Sequence, residues 1–315
     1  MILFVLRRIL MSVPTLIIVA VIIFCLVRAL PGDAALMMLG GNIDDESTLE
    51  MMRHQLGLDQ PLPVQFMAWL REIFSGNLGI SVRTGQPVGE LILDRFSVTA
   101  TVVLLAMASA LAVSIPAGLF AAHRHNTRAD YAIVVATILK LSMPSFWVGL
   151  MLLVLFGAIL GWLPTVGYVS VSQDFGLGVT YLILPVTSLA LSEIAVMTRM
   201  MRAGSLEVMN RDYVTHARAK GLPERQVLWR HVFPNAFAPT LTMVGIALAG
   251  LLAGAAVTET VFTLPGLGKL LVDSIYGRDY PVLQGALLFI AAVYVVTNLL
   301  IDIAYSFFDP KVRLS

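Results

Sequence analysis

Charge is scarce in this chain. Only 13% of its 315 residues are Asp, Glu, Lys or Arg, against about 25% in a soluble domain. Apolar residues make up 58% and the mean hydropathy is +0.85, which excludes an ordinary soluble domain and indicates a multi-span membrane protein. Net charge is only +1, so the overall balance favours neither nucleic acid nor an acidic ligand. Cysteine is almost absent. Cys25 alone excludes an internal disulfide and a cysteine metal cluster, and its place in an apolar run predicts a packed thiol. The phosphate loop G-x-x-x-x-G-K-S/T is also missing, since Gly266-Leu267-Gly268-Lys269 lacks its spacing. No Ser/His/Asp set or carboxylate pair stands out. No residue is put forward as catalytic, cofactor-binding or metal-ligating.

What the chain has is long apolar runs. Arg7 and Arg8 precede the run 9–27, which contains Pro14. It is longer than the roughly 7–15 apolar residues of a signal peptide and near the ~20 that a span requires, so a retained span is expected. Residues 31–95 are not a membrane segment. They carry nine acids against Arg53, Arg71, Arg83 and Arg95, which suits the outer face. Helical spacing is expected over 47–55 and 64–74, with Phe66, Trp69, Leu70 and Ile73 on one face. Further spans are expected over 98–122, over 131–160 (one kinked, tilted span broken at Ser142-Met143-Pro144), and over 180–197, 239–261 and 283–308. The fifth is rich in small residues, with Gly250 and Gly254 four apart. His123 and His125, in a short basic linker, are expected to be solvated anchors at the lipid headgroups.

Between the fourth and fifth runs lies the segment that organises the chain. Arg199, Arg202, Arg211, Arg218, Lys220, Arg225 and Arg230 are opposed only by Glu207, Asp212 and Glu224. Such a basic excess belongs on the cytoplasmic side. In a six-span topology with both termini cytoplasmic, thirteen Lys and Arg fall inside, and the two short outer loops hold only Lys269 and Arg278. Tyr213 to Lys220 contains no Gly or Pro and is expected to be helical, with Gly221 at its C-cap and Pro223 as the stop. A short capped helix here is a surface for a soluble partner.

This segment resembles the cytoplasmic loop of the membrane-spanning subunits of ATP-binding-cassette importers, E-A-A-x3-G-x9-I-x-L-P. Thr215, His216 and Ala217 take the first three places, Gly221 the glycine, and His231, Phe233 and Pro234 the last positions. The form Y-V-T-H-A-R-A-K-G is similar to the dipeptide, oligopeptide and nickel branch, with His216 as a departure. So are L-P-G-D at 30–33, L-G-L-D-Q-P at 56–61, G-W-L-P at 161–164, P-G-L-G-K at 265–269, R-D-Y-P at 278–281 and D-P-K-V-R at 309–313.

The resemblance implies an all-α membrane protein of six spans, of the type I importer kind. The first helix would cover 1–30, a helical periplasmic region 31–95, and a five-span core 96–315 that contains the coupling loop 199–234. It implies coupling to the ATPase through Tyr213, Thr215, His216, Ala217, Arg218, Ala219, Lys220, Gly221 and Pro234. The implied partners are a homologous second permease, two cassette ATPases that use ATP and Mg²⁺, and a periplasmic or lipid-anchored binding protein, with the outer region 31–95 either capping the span ends or helping to dock that protein. The setting is the bacterial inner membrane. This chain itself would hold no cofactor and catalyse nothing. The expected cargo is short peptides, or alternatively nickel, glutathione or another small solute. A channel, an ion-coupled carrier or a membrane enzyme are the other classes, and none of them needs the Ala217–Gly221 helix. Lys140, Glu193 and Glu259 are costly inside spans and so are candidate intramembrane or gate residues. Lys140 and Glu193 are expected either to snorkel to the inner headgroups or to pair between helices, and Glu259 either to line a gate or to lie at the outer interface.

Overall fold

The structure is a computed structural model that describes residues 2–29, 46–55 and 57–308. L-P-G-D and D-P-K-V-R lie outside the described residues. α1 (Ile2–Ala29) is followed by α2 (Glu46–Gln55) and α3 (Leu62–Phe74). Next come the long α4 (Val88–His123), α5 (Arg128–Leu141) and α6 (Ser145–Leu152), the last running on as a π-helical stretch Leu153–Ile159. α7 (Phe175–Met209) is again long. α8 (Asp212–Ala219) and α9 (Glu224–Val227) are short, and a π-helical Leu228–Val232 leads into α10 (Phe233–Val261). α11 (Leu267–Tyr276) and α12 (Tyr280–Phe308) close the chain.

Among the described residues, five helices are long and apolar enough to cross a membrane, and a sixth span arises if α5 and α6 are counted together. That pair departs from the expected kinked span, because the two helices meet at 97°. Pro144 disfavours helix at Met143 and itself caps α6, so the chain turns sharply rather than bending. α7 also runs farther than expected, to Met209. Arg199, Arg202 and Glu207 therefore stand on a helix, and the true loop begins only at Asn210. Cys25 is exposed on α1 instead of packed.

The core lies between α4, α7 and α10, where Val102, Ala106, Leu184, Met197, Val244 and Ala255 form one buried cluster. A second cluster at the basic end joins Leu119, Met201 and Val208 to Val214, Ala217, Val227 and Phe237. The outer sides of the helices stay apolar and exposed, as at Leu10, Ile18, Leu139 and Leu300, a surface suited to lipid. Arg8 pairs with Asp302 at 2.7 Å and ties the start of α1 to α12.

Candidate functional site: the short helix at the basic end

α8 is built by local signals at both ends. Arg211 is extended ahead of it and Asp212 puts an acid in its first turn, while His216 and Arg218 stand in the last, each sign at the pole of the helix dipole that favours it. Beyond the C-cap Lys220, Gly221 takes φ +77°, a conformation that glycine adopts without a Cβ penalty. Its N–H donates to Arg218 O at 2.9 Å and the Leu222 N–H to Ala217 O at 3.4 Å. These two bonds are the Schellman closure. Leu222 completes it by packing against the cluster that holds Ala217.

The helix has two distinct faces. Val214 and Ala217 are 0% and 6% exposed and sit in the cluster formed with Leu119, Val208, Val227 and Val232. The Ala217 methyl thus faces its own chain, where a larger side chain would not fit. Sequence alone presents it as part of an outward docking surface. Tyr213, Thr215, His216, Ala219, Lys220 and Gly221 are exposed, while Pro234 is exposed near the start of α10, directly after the π-helical turn.

Two ionic braces stand at this end, one tying α8 through Glu224 to α4 and the other tying α5 to α7. Arg218 Nε and Nη2 donate to Glu224 Oε2 and Oε1 at 3.1 and 2.7 Å, and that carboxylate raises the Arg218 pKa further. Glu224 Oε1 lies 3.5 Å from His123 Nδ1, at the end of α4. In the second brace Arg202 of α7 donates to both oxygens of Asp130 at 2.6 and 2.7 Å. The Asn126 N–H donates to the same carboxylate at 3.1 Å, and His125 Nδ1 stands 3.3 Å from it. His123 and His125 are therefore paired with acids, not free anchors. Glu224 and Asp130 were not legible as site residues in the sequence, although Glu224 follows Arg218 by only six positions.

Of the three intramembrane charges, Lys140 and Glu193 interact electrostatically without a direct ion pair, while Glu259 has partners of its own. Lys140 Nζ donates to Ser192 Oγ of α7 at 2.9 Å. No N–O contact within 4.0 Å joins it to Glu193 among the described residues. Glu259 is fully buried at the far end. Its Oε1 accepts from Thr99 Oγ1 at 2.5 Å and its Oε2 from the Lys269 N–H at 2.8 Å. Thr99 in turn accepts from the Leu267 N–H at 2.8 Å. The carboxylate and hydroxyl together satisfy the open N–H groups of α11, joining α4, α10 and α11. A Cβ on Gly266 would lie 2.1 Å from Glu259 Cδ, which explains one glycine of P-G-L-G-K. Asp279 of R-D-Y-P plays a similar part, accepting from Ser81 Oγ at 2.5 Å and from the Val82 and Arg83 N–H groups at 3.3 and 3.4 Å.

Between α4 and α7 lies an open groove of about 930 Å³, lined mostly by apolar side chains such as Leu104, Phe175 and Ile183, with hydroxyls at Ser97, Thr101 and Tyr168 among others. Its lining contains no Asp, Glu, Lys or Arg.

Comparison with known proteins gives the arrangement its context. Residues 114–314 match the family model described as binding-protein-dependent transport system inner membrane component, and residues 1–103 match the model of its N-terminal part. A protein of Brucella abortus (strain 2308) named as a peptide transport system permease is 42% identical over 310 residues, 98% of each chain. The oligopeptide transport system permease AppB of Bacillus subtilis is 38% identical over 313 residues, covering 98% of this chain and 99% of that one. The glutathione transport system permease GsiC of Escherichia coli O6:H1 is 38% identical over 310 residues, 98% of each. The fold is shared with the MetNI methionine transporter in an inward-facing conformation, at a TM-score of 0.58, 15% identity and coverage of 70% of this chain and 96% of that one.

Proposed function

The chain belongs to the binding-protein-dependent transport system inner membrane component family, and from that premise we propose that it carries short peptides across the membrane, driven by ATPase subunits that dock on α8. It is a membrane-spanning permease subunit of an ATP-binding-cassette importer. The channel, ion-coupled carrier and membrane-enzyme readings have no support from this family. Peptides are favoured over nickel because the relatives above are named for peptides or for glutathione, itself a tripeptide. The uncharged, hydroxyl-bearing groove between α4 and α7 suits the same cargo, since a route without fixed charge does not select among peptide side chains.

In this proposal the basic end is cytoplasmic, both termini included, and the region 31–95 lies outside. The working complex adds a homologous second permease, two ATPases that bind ATP and Mg²⁺, and a periplasmic or lipid-anchored binding protein. This chain supplies no catalytic group. The observation that carries the coupling role is the two-faced geometry of α8. Val214 and Ala217 are keyed into the span ends, and the opposite face is free. When the ATPases move, α8 moves as a body. The Arg218–Glu224–His123 brace passes that motion to α4, and the cluster passes it to α7 and α10. Lys140 and Glu193 stay candidates for the mid-membrane route. Glu259 serves as a brace at the far end, where it fixes the elements that gate it.

The coupling test is His216→Asp on the free face. The variant should still insert and fold, yet lose ATPase co-purification and receptor-stimulated ATP hydrolysis in reconstituted vesicles. Normal assembly and stimulation would remove α8 as the docking element. The cargo is read by mass spectrometry of what the co-purified binding protein carries.

A further inference from the structure

α3 is a helix of 13 residues. At 1.5 Å per residue it is about 20 Å long, too short to cross a bilayer. None of its residues is buried, although it is largely apolar. At 100° per residue, Trp69, Ile73, Phe66, Leu70, Phe74 and Met67 fall in one arc of about 160°, and Gln65, Glu72 and Arg71 lie outside it. Only part of that arc is covered. Phe66 and Trp69 stack on Phe24 of α1 with ring centroids 5.3 and 5.8 Å apart. Met67 and Phe74, on the other part, are 65% and 86% exposed.

Position identifies what covers the rest. Phe24 lies five residues before the end of α1 at Ala29, so α3 packs roughly 7 Å below the outer end of that span. This matches the ~5–10 Å depth at which amphipathic helices rest in the headgroup and acyl boundary. At the same depth α1 turns Ile22 and Leu26 outward on the face opposite Phe24, an apolar surface that places this level of the span in lipid. The Arg28 guanidinium stands 5.3 Å over the Phe24 ring, and aromatic and basic side chains of this kind concentrate at membrane interfaces.

We propose that α3 is an interfacial helix that lies in the outer membrane surface, with Met67 and Phe74 inserted among the lipids and Arg71 and Glu72 in water. It anchors the region between the first two spans to the bilayer instead of offering it to a soluble protein. The proposal rests on α1 spanning the membrane with its C-terminal end outside, and it stands or falls independently of the coupling role of α8.

The test uses the assembled importer in phosphatidylethanolamine–phosphatidylglycerol vesicles, in a Cys25→Ser background. Nitroxide labels are placed singly at Met67→Cys, Phe74→Cys and Glu72→Cys, and each is relaxed with oxygen, which partitions into lipid, or with a water-soluble nickel chelate. The labels at 67 and 74 should favour oxygen several-fold more than the label at 72, with or without binding protein. Equal nickel access at all three sites would place α3 in water and overturn the proposal. Shielding of 67 and 74 from both reagents would show a covering protein, a second permease or the binding protein, and would overturn it equally. The two apolar sites report independently, so failure of one variant to assemble leaves the other decisive.

Discussion

Arg218 and Glu224 hold each other by two hydrogen bonds across the Gly221 turn, at 2.7 and 3.1 Å. The pair locks the exit of α8 to the start of the next helical segment, and Glu224 leads on to His123 at 3.5 Å. Both partners are about one third exposed. Pairs of this exposure contribute only about 0.2–1 kcal/mol to stability. Glu224→Gln should therefore change the thermal unfolding of the purified complex very little. It should lower receptor-stimulated ATP hydrolysis and transport together, because motion no longer passes cleanly from α8 to α4. Unchanged stimulation in both Glu224→Gln and Arg218→Ala would exclude this brace from the coupling route.

The far-end brace makes a prediction about additivity. Glu259→Ala leaves the Lys269 N–H and the Thr99 hydroxyl without their acceptor, at about 1–3 kcal/mol. Gly266→Ala drives a methyl into the carboxylate, 2.1 Å from its Cδ. With the carboxylate gone the methyl has room. The double variant should be milder than the sum of the singles, by more than the ~0.5 kcal/mol scatter of independent sites. Thermal unfolding in detergent measures this. Strict additivity would contradict the packing described.

Much of the fold was legible because its signals are local. Apolar runs set the spans, and Gly221 set the end of α8. What was missed depends on contacts distant in sequence. Thr99 reads as an ordinary residue in an apolar span, and its partner Glu259 is 160 positions away. Ala217 reads as an outward small residue, because eight residues cannot show which face meets Val208 and Val232. The 97° turn after α5 exceeds what Ser142-Met143-Pro144 announces, since proline breaks a helix without setting the new direction. His123 looked isolated until folding brought Glu224 beside it from across the chain, whereas Asp130 follows His125 by only five residues.

Lys140 hydrogen-bonds to Ser192 at 2.9 Å and meets Glu193 only through a longer-range charge interaction. Lys140→Met should therefore couple with Ser192→Ala more strongly than with Glu193→Gln in a double-mutant cycle on unfolding. A larger coupling to Glu193 would instead make the charge interaction with Glu193 the one that holds Lys140.

Orientation is tested by single cysteines in a Cys25→Ser background. Ser172 and Arg225 are both exposed. In intact cells a membrane-impermeant maleimide should label Ser172→Cys and spare Arg225→Cys. Labelling of the second from outside would invert the topology.

The central claim is that α8 is held by its inner face and read by its outer one, and the paired variants Ala217→Leu and Ala219→Leu test it most directly. Leu is nearly as good a helix former as Ala, so propensity alone predicts little change from either. Ala217 is 6% exposed, and overpacking there should cost about 1–3 kcal/mol in unfolding. Ala219 is exposed, so Ala219→Leu should unfold as the parent does. In vesicles with the ATPases and binding protein, that same variant should lose ATPase co-purification and receptor-stimulated hydrolysis. A destabilised Ala217→Leu beside a stable, uncoupled Ala219→Leu is the result this account predicts. A stable Ala219→Leu with full assembly and stimulation would contradict it.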